Sequence, residues 1–164
     1  MKTIFLIRHA KSSWSAPSLN DFERPLNKRG TKDAPCIGKK LAQLNFNPEL
    51  IISSSSVRTR KTIALICNEV AYNLNEVVYR DELFHASLST LKKNINDTNN
   101  KLDSIAIVGH NFGISNFANY LTADAVGTMP TCAVVKITLD VDSWEEIIEG
   151  LGNLEYYIYP KMLN

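Results

Sequence analysis

Basic side chains that could bind an anion and act on it stand at or soon after the ends of apolar runs of the chain. Arg8 and His9 follow the run FLI, Arg58 follows the run LII after the polar turn SSSSV, and His110 follows IAIVG. Arginine donates paired hydrogen bonds to oxyanions, and histidine serves as a nucleophile or proton carrier near neutral pH. Each side chain taken alone could be structural or exposed. Their shared position after apolar runs predicts an anion-binding catalytic crevice.

Five short apolar runs predict the strands that position these residues. They cover Thr3 to Ile7, Leu50 to Ile52, Val77 to Tyr79, Ile105 to Val108 and Ala133 to Leu139. Between them apolar residues recur at helical spacing, as in residues 34–44, 63–70 and 114–121. This alternation predicts a three-layer α/β/α fold with a mostly parallel central sheet, whose last strand is free to run antiparallel at an edge.

In open sheets of this kind, ligands bind beyond the carboxyl ends of the strands. Arg8, His9 and His110 stand at such ends, and Arg58 falls in the first turn of the next helix, where unpaired backbone N–H groups favour an anion. The SSSS turn is expected to supply the N-cap serine of that helix. The long loop from Lys11 to Asn27 is expected to be a lid or a packed surface loop.

The length suits one domain, residues 1–164. No element is predicted for the stretch after Trp144. Cys36, Cys67 and Cys132 each have apolar sequence neighbours, which predicts buried, reduced thiols and a cytoplasmic protein.

Partners and cofactors are constrained mainly by what the sequence lacks. A formal net charge of +1 predicts no nucleic-acid partner, and no apolar run is long enough for a membrane span. The histidines show neither HxH nor HExxH spacing, and the nearby cations would repel a metal ion, so no metal site is predicted. The glycine-rich loops GxxxxGKS/T and GxGxxG do not occur, and no cofactor is expected.

Five separated segments resemble the histidine phosphatase superfamily, and most closely its branch of small SixA-type phosphohistidine phosphatases. They are LIRHA, RPLNKRG, SSSVRTRKT, IVGHN and MPTCAVVKI, and together they span most of the chain in the expected order. The resemblance implies a phosphoglycerate mutase-like fold and phosphatase activity without a metal or cofactor.

The resemblance also implies roles for individual residues. His9 matches the histidine that becomes phosphorylated, and Arg8, Arg58 and His110 match the groups that surround the phosphate. Ser15 stands where mutase-like relatives have an asparagine that binds phosphate.

The sequence departs from the family's pattern in two places. Ala10 replaces the glycine of the usual RHG, a small change if the backbone there has negative φ. Many relatives carry an acidic residue after the third strand, where this chain has YRDELFHAS. Glu82 is the candidate acid, with a solvated carboxylate as the alternative, and His85 is a candidate for contacting substrate. Arg60 has no clear equivalent and is expected on the surface.

A mechanism follows from these roles. Neutral His9 attacks phosphorus, one ring nitrogen being held by a hydrogen bond, and nearby cations keep its pKa low. Water then hydrolyses the phosphohistidine intermediate. A site without a firm general acid suits phosphoramidates better than alkyl phosphates. The expected substrate is therefore phosphohistidine on a protein, such as a histidine-containing phosphotransfer domain.

Two alternatives remain open at the level of sequence. The first is a phosphatase of small phosphorylated substrates that uses His9 as nucleophile and Glu82 as acid. The second is a binding module for phosphorylated ligands that does not turn them over.

Overall fold

The predicted apolar runs form the strands of one central sheet in the computed structural model, which describes residues 1–164. The strands are β1 (Lys2–Arg8), β2 (Leu50–Ser54), β3 (Val78–Arg80), β4 (Ser104–Gly109), β5 (Val134–Leu139) and β6 (Gly152–Ile158). The helices are α1 (Lys28–Gln43), α2 (Val57–Cys67), α3 (Leu88–Asn96) and α4 (Gly113–Thr122). No helix combines the length and the apolar character needed to cross a membrane.

The sheet is parallel on one side and antiparallel on the other. Its strand order is β3-β2-β4-β1-β5-β6. The pairs β3–β2, β2–β4 and β4–β1 are parallel, whereas β1–β5 and β5–β6 are antiparallel. The predicted α/β architecture is confirmed, and β5 runs antiparallel as expected. However, β6 covers β5 and forms the edge, so the antiparallel part contains two strands.

Each face of the sheet carries a hydrophobic core, because successive side chains of a strand point to opposite faces. On β1, Ile4 and Leu6 join the core beneath α3 and α4, while Phe5 and Ile7 join the core beneath α1 and α2. Burial on both faces explains why the central strands are continuous apolar runs.

The ends of the parallel strands place the basic residues at one edge. Arg8 at the end of β1 is in register with Gly109 at the end of β4, so His9 and His110 leave the sheet side by side. Beyond β2, the Ser56 side chain accepts a hydrogen bond from the Thr59 N–H and caps α2, as predicted. Arg58 therefore lies in the first turn of α2, pointing back toward the same edge.

One expectation about the cysteines is wrong. Cys67 and Cys132 are buried thiols, but Cys36 is exposed. Its apolar neighbours in sequence do not predict its burial, because consecutive residues of a helix lie about 100° apart. Ile37 is buried on α1 while Cys36, one position earlier, is on the solvent side.

The close packing of α4 against the segment after β3 gives a first prediction. A Cβ atom on Gly113 would lie 1.9 Å from the carbonyl oxygen of Ala86, whereas one on Gly109 would have its nearest neighbour at 3.5 Å. We expect Gly113→Ala to lower the free energy of unfolding by about 1–3 kcal/mol and Gly109→Ala to change it by less than about 1 kcal/mol. Urea unfolding of both variants measures this, and equal losses would contradict the packing described.

Candidate active site

A basic crevice of about 360 Å³ opens beyond the carboxyl ends of β1, β2 and β4. The basic side chains that line it are Arg8, His9, Lys11, Arg24, Arg58 and His85. Asp21 is the only acidic side chain in the lining. Because the whole chain is nearly neutral, this concentration of positive charge is local and suits a small anion. Of the site residues predicted from the sequence, four line this crevice: Arg8, His9, Arg58 and His85.

His9 lies in the crevice with one of its two ring nitrogens already engaged. Its Nδ1 is 2.7 Å from the carbonyl oxygen of Ala10. A carbonyl oxygen only accepts, so Nδ1 carries the proton and donates it. In the neutral ring Nε2 is then unprotonated, and it accepts a weak hydrogen bond from Nε of Arg58 at 3.4 Å. Nε2 is therefore the ring nitrogen with a lone pair directed away from the backbone, and the hydrogen bond from Nδ1 to a backbone carbonyl agrees with the arrangement expected from the sequence.

The surroundings of His9 favour its neutral form. Burial lowers the pKa of His9 to about 3, assisted by the charges of Arg58, Arg8 and Arg24 and opposed by the hydrogen bond to Ala10. The imidazole is consequently uncharged at neutral pH, which is the state that the role expected for His9 from the sequence requires.

Ala10 fits the turn after β1 without strain. It is not among the residues with positive φ, so the glycine usual in the family is not needed for conformational freedom. Its N–H donates to Oγ1 of Thr62 (2.9 Å), and the carbonyl of His9 accepts from the N–H of Cys132 (2.9 Å). These bonds fix the backbone that carries His9.

The two arginines predicted from the sequence are held differently. Arg58 is almost fully buried, and its Nη1 donates to the carbonyl oxygen of Asp21 (2.5 Å). Arg8 donates from Nη1 to the carbonyl oxygen of Met129 (2.8 Å), while its Nε is buried without a protein partner. Arg8 thus retains donor capacity in the crevice lining.

His110 lies between two other imidazoles. Its ring centroid is 5.2 Å from that of His9 and 4.9 Å from that of His85. Nε2 hydrogen-bonds with the hydroxyl of Ser54 at 2.9 Å, and Nδ1 is buried without a protein partner. Burial, together with the charges of His9 and Arg58, lowers the pKa of His110 to about 2, so this ring is also neutral.

Three predicted side chains are not part of the crevice lining: His110 is buried behind it, and Ser15 and Glu82 lie elsewhere on the surface. Ser15 is exposed, hydrogen-bonds with Ser13 and lines a separate surface pocket. Glu82 is exposed and lines another pocket beside Lys93 and Asp97. Glu82 faces outward because the short turn that contains it buries the adjacent Leu83.

Arg60 lies away from the crevice lining, although it is only two residues from Arg58. Its guanidinium packs over the ring of Tyr79 at 3.8 Å, and its Nε donates to the carbonyl oxygen of Ser55 (2.8 Å).

The loop between β1 and α1 contributes functional residues that the analysis of strand ends missed. Arg24 is buried, stacks over Trp14 at 3.2 Å, and donates from Nη1 to Asp21 Oδ1 (2.7 Å) and from Nη2 to the hydroxyl of Ser12 (2.5 Å). Arg24 begins the segment RPLNKRG that resembles the family. This resemblance was the one signal in the sequence that could have identified Arg24 as part of the crevice. Nothing in the local pattern singled out Asp21.

Asp21 is the counter-charge of the crevice. Its Oδ2 lies 2.5 Å from Nε2 of His85 and 3.3 Å from Nη2 of Arg58, and Oδ1 accepts from Arg24. Partial burial alone would raise its pKa. The hydrogen bonds from His85 and Arg24 and the charge of Arg58 outweigh burial and hold the pKa of Asp21 well below its usual range. Asp21 is therefore an ionised acceptor, not a proton donor.

The chain is similar to known proteins in sequence and in fold. A family model of the histidine phosphatase superfamily (branch 1) matches residues 4–88, which include Arg8, His9 and Arg58. The chain belongs to the histidine phosphatase superfamily. Among sequence relatives, an uncharacterised chloroplastic protein of Arabidopsis thaliana is 29% identical over 153 residues, covering 88% of this chain and 70% of the relative.

Solved structures extend the similarity to nearly the whole chain. A protein from Agrobacterium tumefaciens assigned as phosphohistidine phosphatase SixA is 25% identical, with a TM-score of 0.81 over 97% of this chain and 98% of that one. A protein histidine phosphatase SixA complexed with tungstate has a TM-score of 0.83 at 19% identity, covering 99% of each chain. Mycobacterial glucosyl-3-phosphoglycerate phosphatase reaches 0.66 at 13% identity, covering 97% and 98%. The SixA-type resemblance and the fold expected from the sequence are confirmed.

The buried neutral histidines of this histidine phosphatase make its stability dependent on pH. In the unfolded chain both have a pKa of about 6.5, so below that pH the unfolded state binds protons that the folded state does not, and stability falls with pH. Acidification from pH 7 to pH 4.5 should therefore cost roughly 2–3 kcal/mol for each of His9 and His110. Asp21 does not contribute in this window, because its lowered pKa affects stability only near and below its ordinary value of 3.8.

Urea unfolding at the two pH values measures this effect. In His9→Asn the loss on acidification should be smaller by about 2 kcal/mol than in the parent, whatever the absolute stability of the variant. An unchanged loss would contradict the burial of a neutral His9.

Proposed function

We propose that the chain is a phosphohistidine phosphatase that removes the phosphoryl group from a protein histidine through a covalent intermediate on His9. The observation that carries the proposal is the unprotonated Nε2 of His9 in a basic crevice, with Nδ1 fixed by the Ala10 carbonyl. Membership of the superfamily and the similarity to SixA support phosphatase chemistry. The choice of substrate and of intermediate is supported by the donors of the crevice, by the ionised Asp21 and by the exposed aromatic side chains at the mouth.

In the first step, Nε2 of His9 attacks phosphorus while the bond from phosphorus to the substrate nitrogen breaks. Arg8, Arg24 and Arg58 meet the negative charge on the phosphoryl oxygens, and His110 provides a further donor. These donors are held by contacts with the protein before substrate arrives, so little reorganisation accompanies the reaction.

In the second step, water attacks the phosphoryl group on His9 and inorganic phosphate leaves. Breaking the P–Nε2 bond returns the lone pair to Nε2, and Nδ1 keeps its proton throughout. Neither step uses a metal ion or a cofactor.

The acid–base character of the crevice favours a phosphohistidine substrate. Asp21 is ionised and hydrogen-bonded, so it cannot protonate a leaving alcohol. A substrate imidazole with a proton on its distal nitrogen leaves as a neutral ring and needs no such help.

The mouth of the crevice favours a protein substrate. Trp14, in its lining, and Phe112, next to the lining residue Asn111, are both exposed aromatic side chains, and exposed aromatics are typical anchors at protein interfaces. The names of the SixA relatives also point to protein histidine as substrate, and tungstate, bound by one of them, is a tetrahedral oxyanion like phosphate. We therefore propose a histidine-containing phosphotransfer domain, acting in the cytoplasm, as the class of partner.

The test is phosphate release by the purified chain, without added metal, from a phosphohistidine peptide and from an aryl phosphate. We expect release to favour the peptide and to fall by more than about a thousandfold in His9→Ala. Arg58→Lys should cost about a hundredfold, since it loses a guanidinium donor, while the matched Arg60→Lys should change the rate by less than about twofold.

Other results would redirect the proposal. Preference for the aryl ester would favour a small-molecule phosphatase, and saturable phosphate binding without release would favour a non-catalytic module. Activity that survives in His9→Ala would contradict the role of His9 as nucleophile.

A further inference from the structure

The side chains of His85 and Asp21 form an imidazole–carboxylate pair in the crevice, and neither takes part in the two proposed steps. The side chain of His85 is 48% exposed, whereas His9 is only 7% exposed, so His85 lies on the solvent side of the crevice. Both residues line the same crevice, and the ring of His110 is within about 5 Å of each. A phosphoryl group on Nε2 of His9 would therefore share the crevice with His85, the more exposed of the two histidines.

The hydrogen bond to Asp21 fixes the tautomer of His85. Asp21 is ionised, so it accepts and Nε2 of His85 donates across 2.5 Å. In the neutral ring the lone pair is then on Nδ1, which makes no hydrogen bond within the protein. This arrangement orients an imidazole as a proton acceptor, by the logic of a carboxylate–histidine pair in hydrolases.

The backbone around His85 is held in an uncommon conformation. His85 has a φ of 50°, in the left-handed region that residues other than glycine seldom adopt. Phe84 packs edge-on against Phe22 at 5.1 Å and against His110 at 5.2 Å. Phe22 and Asp21 are adjacent, as are Phe84 and His85. The aromatic contact of Phe22 with Phe84 and the hydrogen bond of Asp21 with His85 therefore join the same two segments. Conformations of this kind persist where the surroundings enforce them, and they concentrate at functional sites.

We propose that His85 is the general base that activates water for hydrolysis of the phosphorylated His9, and that Asp21 is the residue that positions it. The inference rests on the proposed function. As the water oxygen bonds to phosphorus, its proton passes to Nδ1 of His85 and the P–Nε2 bond of His9 breaks. Inorganic phosphate and neutral His9 result, and the imidazolium of His85 then returns its proton to solvent.

Attack in line with the breaking bond requires water to approach from the side opposite Nε2 of His9. That side is the open mouth of the crevice, where His85 lies. Glu82, the acid expected from the sequence, lines a different pocket. His85 and Asp21, which do line the crevice, thus supply the proton acceptor that Glu82 is too far from the crevice to provide.

The test separates formation of the phosphoenzyme from its hydrolysis. The parent, His85→Gln and Asp21→Asn are phosphorylated with a labelled phosphohistidine peptide, and loss of label from His9 is followed after rapid mixing with unlabelled peptide. His85→Gln should form phosphoenzyme at a rate within about threefold of the parent, because a good leaving group needs no proton from His85. Its phosphoenzyme should decay at least about a hundredfold more slowly.

With 4-nitrophenyl phosphate the same variant should release one burst of nitrophenol per active site before a slow steady state. In Asp21→Asn the decay should slow by about tenfold relative to formation, since the base remains but is less well oriented; formation itself should also slow, because Asp21 hydrogen-bonds with Arg24 and Arg58. Arg60→Lys serves as the folded reference, and thermal melting checks that each variant folds.

The outcomes distinguish this inference from the proposed function. If the parent forms no phosphoenzyme and releases no phosphate, the proposed function itself fails. If the parent turns over but the His85→Gln phosphoenzyme decays at the parent rate, His85 is not the base. If formation and decay slow equally without a burst, His85 binds the phosphoryl group, and the inference is again overturned.

Discussion

The hydrogen bond from Nδ1 of His9 to the carbonyl oxygen of Ala10 is the contact on which the rest of the site depends. It assigns the proton of a neutral imidazole to Nδ1 and leaves Nε2 with a free lone pair, as the proposed nucleophile needs. The contact lies within two adjacent residues, so its geometry depends on the turn after β1. Bonds from Ala10 to Thr62 and from Cys132 to His9 tie that turn to α2 and to the segment before β5.

A second constraint is that the arginines of the crevice must lie close to one another without leaving several uncompensated positive charges buried. Arg58 and Arg24 are both buried, and two unpaired guanidinium groups would be costly to desolvate. The structure offsets this cost with one carboxylate, because Asp21 hydrogen-bonds with both arginines and with His85. Arg8 keeps a buried Nε without a protein acceptor. The crevice is thus stable without ligand and still has donors to offer a phosphoryl group.

The parts of the site that follow strand ends could be predicted from the sequence. Arg8 ends one strand, and His9 and His110 directly follow strands, whose apolar pattern is unambiguous; parallel strands end at a common edge. Asp21 could not be predicted in this way, because it is in a loop whose path depends on tertiary contacts such as the stacking of Arg24 on Trp14. Local sequence carries little information about such contacts.

A similar physical reason explains why no strand was predicted in the stretch after Trp144, where the structure has β6. In β6, GNLEYYI, only Ile158 is buried, so the strand lacks the apolar pattern that identified the others. It forms because β5 offers unpaired backbone groups at its open side, which is a property of the assembled sheet. Glu82 shows a different limit of sequence analysis. Its place after the third strand was identified correctly, but the sequence did not show that its side chain faces away from the crevice.

The most direct test of the account is the position of the phosphoryl group on His9. The phosphoenzyme, trapped by rapid denaturation in alkali after mixing with a phosphohistidine peptide, can be analysed by ³¹P NMR against the two phosphohistidine isomers. The proposed mechanism predicts phosphorylation at Nε2, since Nδ1 donates its hydrogen bond to the Ala10 carbonyl. Phosphorylation at Nδ1, or on a residue other than His9, would contradict it.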